Sequence, residues 1–492
     1  MPHKQAVLIM TDTQRRDMLG CYHGKHARTP NMDRLAAEGM LFERAYCCDP
    51  VCTPARSAIF TGTYPHTNGA WTNCVSLGDD MVSLGQRLSA QGIHCGYVGK
   101  WHLDGGDWTG TGEAAPGWDP RYWYDLRNYL EELPDDLRRL SRTPKAIGTM
   151  REQECCAAHY SQKALEFIAN HHDEDFVLVV SYEEPHHPWA APEPFAGMYD
   201  GVDMDLDADA YEADMSNKPA LHRAWAEAYA KQIPQGFRAQ KKQFYASNAY
   251  VDYEMGKVLD ALNDLCPEAM IIYTADHGFS LGNRGGMYDK GPASYEEIIG
   301  IPMIIRKHGF VPAGHRHTGV ASHIDITPTI LDYMGCEQSP MLEGRSMIPL
   351  FRQPEETFRE QVIVEYSRFT LKHDGFGGFQ PYRACVTQRY KLCINLLDKD
   401  ELYDLQEDPA ELHNLIDEPS PAAIRDRLHD RILDWMNETR DPFRSYHWER
   451  RPWRTDARPI SYHYTGGTRQ KPGDPGFTRV PLNYGTGMPI DE

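Results

Sequence analysis

Residues 5–12 read Gln-Ala-Val-Leu-Ile-Met-Thr-Asp, and two similar stretches follow, Phe-Val-Leu-Val-Val-Ser at 176–181 and Met-Ile-Ile-Tyr-Thr at 270–274. Each contains a short, continuous apolar run, which indicates a strand buried on both faces of a sheet. Amphipathic helical patterns lie between these runs, for example at 161–170 and 244–262. The alternation predicts an α/β fold, with a large mixed, mostly parallel sheet sandwiched by helices.

The composition along the chain predicts three parts. Residues 1–353 carry the alternating strand and helix patterns and form the predicted α/β domain. Residues 354–440 begin with antiparallel strand patterns and end in an amphipathic helix, which indicates a smaller C-terminal α+β subdomain. Residues 441–492 are rich in Arg, Pro, Gly and Tyr without periodicity, and we expect an extended tail. Two weakly periodic segments, about 105–150 and 190–240, are expected to be insertions at the sheet rim.

The charge of the chain limits its partners. The 492 residues include 51 Lys and Arg against 71 Asp and Glu, so the formal charge is −20. This balance argues against nucleic acid, which needs a basic face, and against anionic membrane surfaces. No run approaches the roughly 20 apolar residues of a membrane span, and the first apolar run is too short for a signal peptide, so we expect a cytoplasmic protein. An anionic small substrate would need a local cluster of basic side chains.

The strongest chemical signal is Val-Cys-Thr-Pro-Ala-Arg-Ser at residues 51–57. Pro54 suits the first turn of a helix because no amide donor is needed there. Cys52 then lies at the helix amino end, where free N–H groups and the helix dipole favour an anion, and Arg56 lies one turn further on. A thiol in this setting has a depressed pKa. A lone Cys at a helix start is more often structural, so the neighbouring signals decide.

Polar residues follow the predicted strands directly. Asp12 follows the first strand, and Asp276 and His277 follow the strand at 270–274. Because the carboxyl ends of parallel strands share one edge of a sheet, we expect these residues to lie together. Asp and His ligands suit Ca²⁺, Mg²⁺ or Mn²⁺. Further basic residues after strands complete a predicted site for a tetrahedral oxyanion: Lys100, His102, His186, His187 and Lys290.

The segment Cys52-Thr53-Pro54-Ala55-Arg56 matches the Cys-x-Pro-x-Arg signature of the type I sulfatases, the formylglycine-dependent sulfatases of the alkaline phosphatase superfamily. The chain resembles this family over about residues 5–435, and the resemblance implies that residues 1–353 are the catalytic domain. Companion motifs follow in order: Gly99-Lys100-Trp101-His102, Pro185-His186-His187-Pro188, Asp276-His277-Gly278 and Asp289-Lys290-Gly291.

The resemblance implies hydrolysis of sulfate monoesters. A formylglycine-generating maturation enzyme would oxidise Cys52, and the hydrated aldehyde would attack sulfur and then eliminate sulfate. One divalent metal ion would assist, Ca²⁺ being the most common in the family, with Asp12, Cys52, Asp276 and His277 as ligands. Arg56 and His102 would support the diol, with His102 as the elimination base. Lys100 and Lys290 would hold the sulfate, and His186, rather than His187, would protonate the leaving group.

One departure from the family concerns the metal ligands. Many members have two adjacent Asp after the first strand, whereas here Thr13 follows Asp12. Either one carboxylate is missing or Gln14 substitutes for it. Fewer anionic ligands, together with the imidazole of His277, leave Mn²⁺ and Mg²⁺ open as alternatives to Ca²⁺.

The leaving group is expected to be a small sulfated carbohydrate, because Trp and Tyr are frequent in residues 101–124 and aromatic faces stack on sugars. One alternative is a phosphonate monoester or phosphodiester hydrolase of the same superfamily. Another is a non-catalytic protein that binds sulfated sugars with Cys52 unconverted. The tail from residue 441 is expected to wrap over the protein itself or over a neighbouring subunit, and in a homo-oligomer it would complete the neighbour's site. Candidate sugar contacts are Asp104, His373 and Arg383.

Overall fold

The structure, a computed structural model, describes residues 3–105, 108–204, 214–233, 237–371, 379–457 and 483–488. The strands are β1 Gln5–Thr11, β2 Met40–Tyr46, β3 His94–Gly99, β4 Trp123–Tyr124, β5 Phe176–Tyr182, β6 Met270–Ala275, β7 Gly300–Ile301, β8 Met303–Arg306, β9 His315–Ser322, β10 Gln361–Tyr366, β11 Tyr382–Thr387, β12 Tyr390–Asn395 and β13 Glu401–Asp404. The α-helices are α1 Pro30–Glu38, α2 Cys52–Thr61, α3 Pro65–Asn68, α4 Leu84–Ser89, α5 Leu126–Glu132, α6 Asp135–Ser141, α7 Cys156–His171, α8 Ala220–Gln232, α9 Arg238–Leu265, α10 Asn283–Gly286, α11 Glu296–Ile299, α12 Ile326–Met334, α13 Ile348–Arg352, α14 Ala422–Glu438 and α15 Tyr446–Glu449.

A nine-stranded sheet forms the centre of the molecule, in the order β4-β3-β5-β1-β6-β8-β2-β7, with β9 paired to β2. The strands from β4 to β6 are parallel neighbours. β8 is antiparallel to β6 and β2, and β7 is antiparallel to β2. The predicted mixed, mostly parallel sheet is therefore confirmed.

The apolar runs are continuous because helices cover both faces of this sheet. Along β1, Val7 and Ile9 belong to the core that contains residues of α7 and α9, such as Phe167. The alternate residues, such as Leu8, belong to the opposite core, which contains residues of α2 such as Phe60. Since successive side chains of a strand point to opposite faces, the central residues of β1, from Ala6 to Met10, are all buried and all apolar.

A separate four-stranded antiparallel sheet, β10-β11-β12-β13, follows the large domain. Helix α14 packs on it through Leu428, Ile432 and Met436, in one core with Leu392 and other strand residues. This confirms the smaller C-terminal α+β unit, while the exact boundaries at 353 and 440 stay predictions.

In the described parts of the chain, no helix has the length and apolar character needed to cross a membrane. The cytoplasmic location stays a prediction.

The structure adds three features that the sequence analysis did not specify. The two weakly periodic segments contain helices α5, α6 and α8. The sequence does not predict strands β2, β7, β8 and β9, because they have no continuous apolar run or are too short to show one. They form by pairing with distant parts of the chain. The first part of the tail, through residue 457, packs on its own chain: Trp448 is fully buried in the C-terminal core. The predicted homo-oligomer stays untested.

Candidate active site

The candidate residues lie along one edge of the large sheet. β1 ends immediately before Asp12, β3 before Lys100 and β6 before Asp276. Because these strands run parallel, their carboxyl ends present the following residues at the same edge. Helix α2 begins at Cys52, so the positive end of its dipole adds to the positive potential at this edge.

Cys52 is surrounded by more positive than negative charge. The residue is buried, and its Sγ lies 3.2 Å from Nε2 of His277. Burial and the carboxylate of Asp12 raise the pKa of the thiol, but Lys290, Lys100 and His277 outweigh them and bring the pKa to about 6. The local field therefore favours an anion at residue 52, although the whole chain is acidic.

The candidate metal centre contains one ligand atom from each of four buried residues, within 4.8 Å of one another: Asp12, Cys52, Asp276 and His277. Nδ1 of His277 lies 2.9 Å from the carbonyl oxygen of Gly278, and donation to this carbonyl directs the lone pair of Nε2 toward the centre. Burial and the nearby Asp12 raise the pKa of Asp276, a destabilisation that a divalent cation would offset. The donor set of two carboxylates and one imidazole therefore fits a divalent cation.

Thr13 and Gln14 follow Asp12, and Thr13 is the neutral residue at the position where many family members have a second Asp. The hydroxyl of Thr13 donates to Oδ1 of Asp12 at 2.5 Å, and its backbone N–H donates to Oδ1 of Asp276 at 3.0 Å. Thr13 thus orients both carboxylates without adding charge. Gln14 is fully buried, and its Oε1 has no hydrogen-bond partner among the described residues. An amide oxygen is a good Ca²⁺ ligand, so Gln14 stays a candidate additional ligand.

The guanidinium of Arg56 holds this edge of the sheet together. Its Nε donates to Oδ2 of Asp276 at 3.0 Å, and its Nη2 donates to Oδ2 of Asp12 at 3.3 Å. Its Nη1 donates to the carbonyl oxygen of Lys100 at 2.6 Å and to the hydroxyl of Ser181 at 2.8 Å. One fully buried cation therefore connects the ends of β1, β3, β5 and β6. Its predicted role toward residue 52 stays a prediction.

Two buried lysines supply further positive charge. Nζ of Lys100 lies 2.5 Å from Oδ2 of Asp12 and 3.8 Å from a carboxylate oxygen of Glu183. Nζ of Lys290 lies 3.8 Å from Oδ1 of Asp289. Burial lowers the pKa of Lys290, but the charges of Cys52, Asp289 and Asp12 raise it more, so this ammonium stays charged. Both ammonium groups add positive charge beside Cys52.

His102 is buried, and neither ring nitrogen has a hydrogen-bond partner within the described parts of the chain. Burial and the cations of Lys100 and Arg56 hold its pKa well below the usual value. A neutral imidazole with unpaired nitrogens can accept a proton from a group beside residue 52. The hydroxyl of Thr53 donates to the carbonyl of His102 at 3.0 Å and so ties this residue to helix α2.

His186 is half-buried and His187 is exposed. Nδ1 of His186 lies 2.8 Å from the carbonyl oxygen of His187. Burial, His187 and Lys290 lower the pKa of His186, and the carboxylate of Asp12 acts in the opposite direction. The charges of Asp12, Lys100 and Lys290 act on the pKa of His187 as well, so the choice of His186 over His187 stays a prediction.

The three predicted sugar contacts do not lie together at one place in the structure. Asp104 lies two residues after His102, partly buried, in a bridge with Ser76. His373 lies outside the described residues. Arg383 on β11 is fully buried, and its Nε donates to Oδ2 of Asp441 at 2.6 Å. The structure therefore gives Arg383 an anchoring contact with the start of the tail and does not bring it to the other candidates.

Most aromatic residues of 101–124 are packing residues. Trp101, Trp118 and Trp123 are only 4–6% exposed and pack together with Tyr97. Trp108 differs, because it is 43% exposed and its ring centroid lies 5.1 Å from that of His102. Within this segment, Trp108 is thus the indole that combines exposure with contact to a candidate catalytic residue.

The sequence analysis assigned no role to three residues that support the site. Ser181 accepts from Arg56, and Glu183 lies near Lys100. Asn73 accepts from the backbone N–H of Thr53 at 2.9 Å, which positions the first turn of α2. Ser181 and Glu183 lie at the carboxyl end of β5, so their position at the sheet edge was the available signal. No sequence signal marks Asn73, because the tertiary structure brings it to the helix.

The mostly parallel sheet, the buried carboxylate–imidazole centre and the clustered cations agree with the alkaline phosphatase-like fold that the resemblance implies. Residues 4–336 match the sulfatase family, and residues 283–438 match the C-terminal domain of N-sulphoglucosamine sulphohydrolase. The chain is 40% identical to the uncharacterized sulfatase YidJ of Escherichia coli (strain K12), over 99% of this chain and 97% of that protein. The chain therefore belongs to the sulfatase family of sulfuric ester hydrolases.

Two solved structures share the fold. One is BT4656 in complex with its substrate D-glucosamine-2-N,6-O-disulfate, with a TM-score of 0.74, 21% identity, and coverage of 90% of this chain and 99% of that chain. The other is the phosphonate monoester hydrolase of Agrobacterium radiobacter, with a TM-score of 0.74, 22% identity, and coverage of 89% and 96%. The same fold thus occurs in a protein that binds a sulfated sugar and in a hydrolase of phosphonate monoesters.

Proposed function

We propose that this protein hydrolyses sulfate monoesters of a small carbohydrate, with a formylglycine derived from Cys52 and one divalent cation. The observation that carries the proposal is the convergence of Cys52 on the ligand atoms of Asp12, Asp276 and His277, in a family of sulfatases. When present, the hydrated aldehyde supplies a nucleophilic hydroxyl and the cation supplies Lewis acidity. The cation is Ca²⁺, Mn²⁺ or Mg²⁺, and a maturation enzyme produces the aldehyde.

The chain's own residues bind and orient the substrate. Lys100 and Lys290 are buried cations that hold the sulfate oxygens and offset the charge developing on them. Neutral His102 accepts the proton from a hydroxyl at residue 52. His186 donates a proton to the departing sugar oxygen, and a bound anion favours this because it raises the pKa of a nearby imidazole. Arg56 keeps Asp12 and Asp276 in position.

The phosphonate monoester alternative deserves a direct comparison, because the same fold carries that activity in a solved structure. Sulfate monoesters and phosphonate monoesters are both singly charged tetrahedral anions, so the cations of this site attract either. The deciding experiment uses protein co-expressed with a formylglycine-generating enzyme, with the aldehyde at residue 52 confirmed by peptide mass. We expect a higher kcat/KM for an aryl sulfate than for an aryl monoester of phenylphosphonic acid. A higher kcat/KM for the phosphonate monoester would contradict the proposed function and support the alternative.

Trp108 provides a test of the carbohydrate leaving group. Its exposed ring beside His102 offers a stacking surface at the mouth of the site. We expect Trp108→Ala to raise KM for a sulfated monosaccharide about 5-fold, the size of a lost stacking contact of roughly 1 kcal/mol. Aldehyde content and turnover of a small aryl sulfate should change little, and Trp108→Phe should restore most of the binding. Equal losses for both substrates would argue against a sugar contact.

A further inference from the structure

A second cluster of metal-binding side chains lies at the opposite end of the large sheet. His94 is the first residue of β3, His171 is the last residue of α7, and Glu174 lies in the loop before β5. One ligand atom from each lies within 4.8 Å of the others. His94 and Lys100 are six residues apart on β3 and the position after it, so this cluster is roughly 20 Å from the active-site edge.

The carboxylate of Glu174 faces both imidazoles. Its Oε1 lies 3.3 Å from Nδ1 of His171, and its Oε2 lies 3.5 Å from Nδ1 of His94. On the other side of the ring, Nε2 of His94 lies 2.7 Å from Oδ2 of Asp119. If Nε2 of a neutral His94 donates to Asp119, the lone pair of Nδ1 points toward the carboxylate of Glu174. The lone pair of Nδ1 then faces a lone pair of the carboxylate oxygen. This arrangement needs a cation or an extra proton between the two atoms.

The surroundings restrict the two imidazoles to this geometry. The rings of His94 and His171 are 4.1 Å apart at their centroids, and both rings pack against Phe167 and Tyr122. The side chain of His171 is 10% exposed and that of His94 is 18% exposed, whereas Glu174 is 50% exposed. The imidazoles are therefore held in place, and solvent reaches the cluster from the side of Glu174.

The distances suit a tetrahedral metal ion. Zinc–ligand bonds of about 2.0–2.1 Å place two tetrahedral ligands roughly 3.3 Å apart, which is close to both N···O distances of this cluster. Two imidazoles and one carboxylate are a common zinc donor set, and a carboxylate behind a ligating histidine is its usual support. His171 ends α7, where the negative end of the helix dipole favours a cation.

We propose that His94, His171 and Glu174 bind a Zn²⁺ ion, with Asp119 orienting His94. The ion joins the amino end of β3 to the end of α7 and to the loop before β5. Its role is structural, because the site lies far from the catalytic edge. The proposal is independent of the substrate of the enzyme.

The test compares Zn²⁺ uptake by the folded full-length chain and by single variants, at a pH above the ordinary imidazole pKa of about 6.5. His172→Gln is the matched control, because His172 is an exposed neighbour whose Nδ1 lies near the carbonyl of Ala169. We expect the wild type and His172→Gln to bind one more Zn²⁺ per chain than His171→Gln and Glu174→Gln, and to gain thermal stability from it. Anomalous diffraction at the zinc edge should place this ion between His94 and His171.

Equal Zn²⁺ uptake by the wild type and by folded Glu174→Gln would overturn the proposal. Absence of a zinc peak at this position would overturn it as well, and would indicate that a doubly protonated His94 bridges Asp119 and Glu174. Glu174 is half exposed, so its replacement tests the site even if His171→Gln does not fold. The wild type and the three variants share the active-site edge. Any Zn²⁺ bound there is the same in all four proteins and does not affect the difference in uptake.

Discussion

Cys52→Ala is expected to abolish sulfate release from an aryl sulfate, with a loss of roughly 10⁶-fold in kcat, the size found when a covalent nucleophile is removed. The change removes the precursor of the nucleophile and one of the four groups of the metal centre. Because Cys52 occupies the first position of α2 within a buried cluster, no neighbouring side chain can replace it. Steady-state turnover of protein produced with a formylglycine-generating enzyme measures the effect.

Cys336→Ala is the control for this experiment. Cys336 is a half-buried free thiol after helix α12, outside the active-site cluster. Its replacement should leave the aldehyde content at residue 52 and the turnover unchanged. Retention of activity in Cys52→Ala would exclude residue 52 as the nucleophile and contradict the proposed mechanism.

Arg56→Ala is expected to destabilise the fold by about 3–5 kcal/mol, the usual cost of leaving buried charges without their partner. The guanidinium is fully buried between Asp12 and Asp276, and its loss leaves two carboxylates beside each other in the core. Activity should be lost as well, because both carboxylates are proposed metal ligands. Urea unfolding followed by circular dichroism measures the change in the free energy of unfolding.

Arg389→Ala is the matched control for the stability measurement. Arg389 pairs with Asp404 at 2.8 Å, but its side chain is 45% exposed. Solvent screens such a pair, so the expected loss of stability is much smaller than that of Arg56→Ala. Saturating divalent cation should recover part of the stability of Arg56→Ala, because a metal supplies positive charge to the same carboxylates. Equal losses in Arg56→Ala and Arg389→Ala would contradict the assigned role.

The sequence was informative where local chemistry dictates structure. The apolar runs at β1, β5 and β6 predicted a sheet covered on both faces, since a strand without polar positions cannot face water. Strands such as β2, with Glu43 and Arg44 in its middle, show no such run and depend on pairing with β8 and β9. Their existence is a property of the tertiary structure rather than of local propensity.

The aromatic residues of 101–124 show a second limit of sequence reasoning. Composition alone suggested a sugar-binding surface, but Trp101, Trp118 and Trp123 are buried and pack with one another. A tryptophan contributes the same signal to a sequence whether it packs in the core or lines a site. Exposure in the folded chain distinguishes Trp108 from the other three tryptophans. Trp108 is therefore the residue on which the carbohydrate proposal can be tested.

The sequence by itself determined the class of fold and the family, because the Cys52 to Arg56 motif and the polar residues after β1, β3 and β6 are local signals. The tertiary structure alone decided how these residues interact. The four contacts of Arg56, the hydrogen bond from Thr13 to Asp276 and the anchoring contact of Arg383 join positions far apart in the chain. A side chain's partners depend on distances in space, which the spacing of residues along a sequence does not specify.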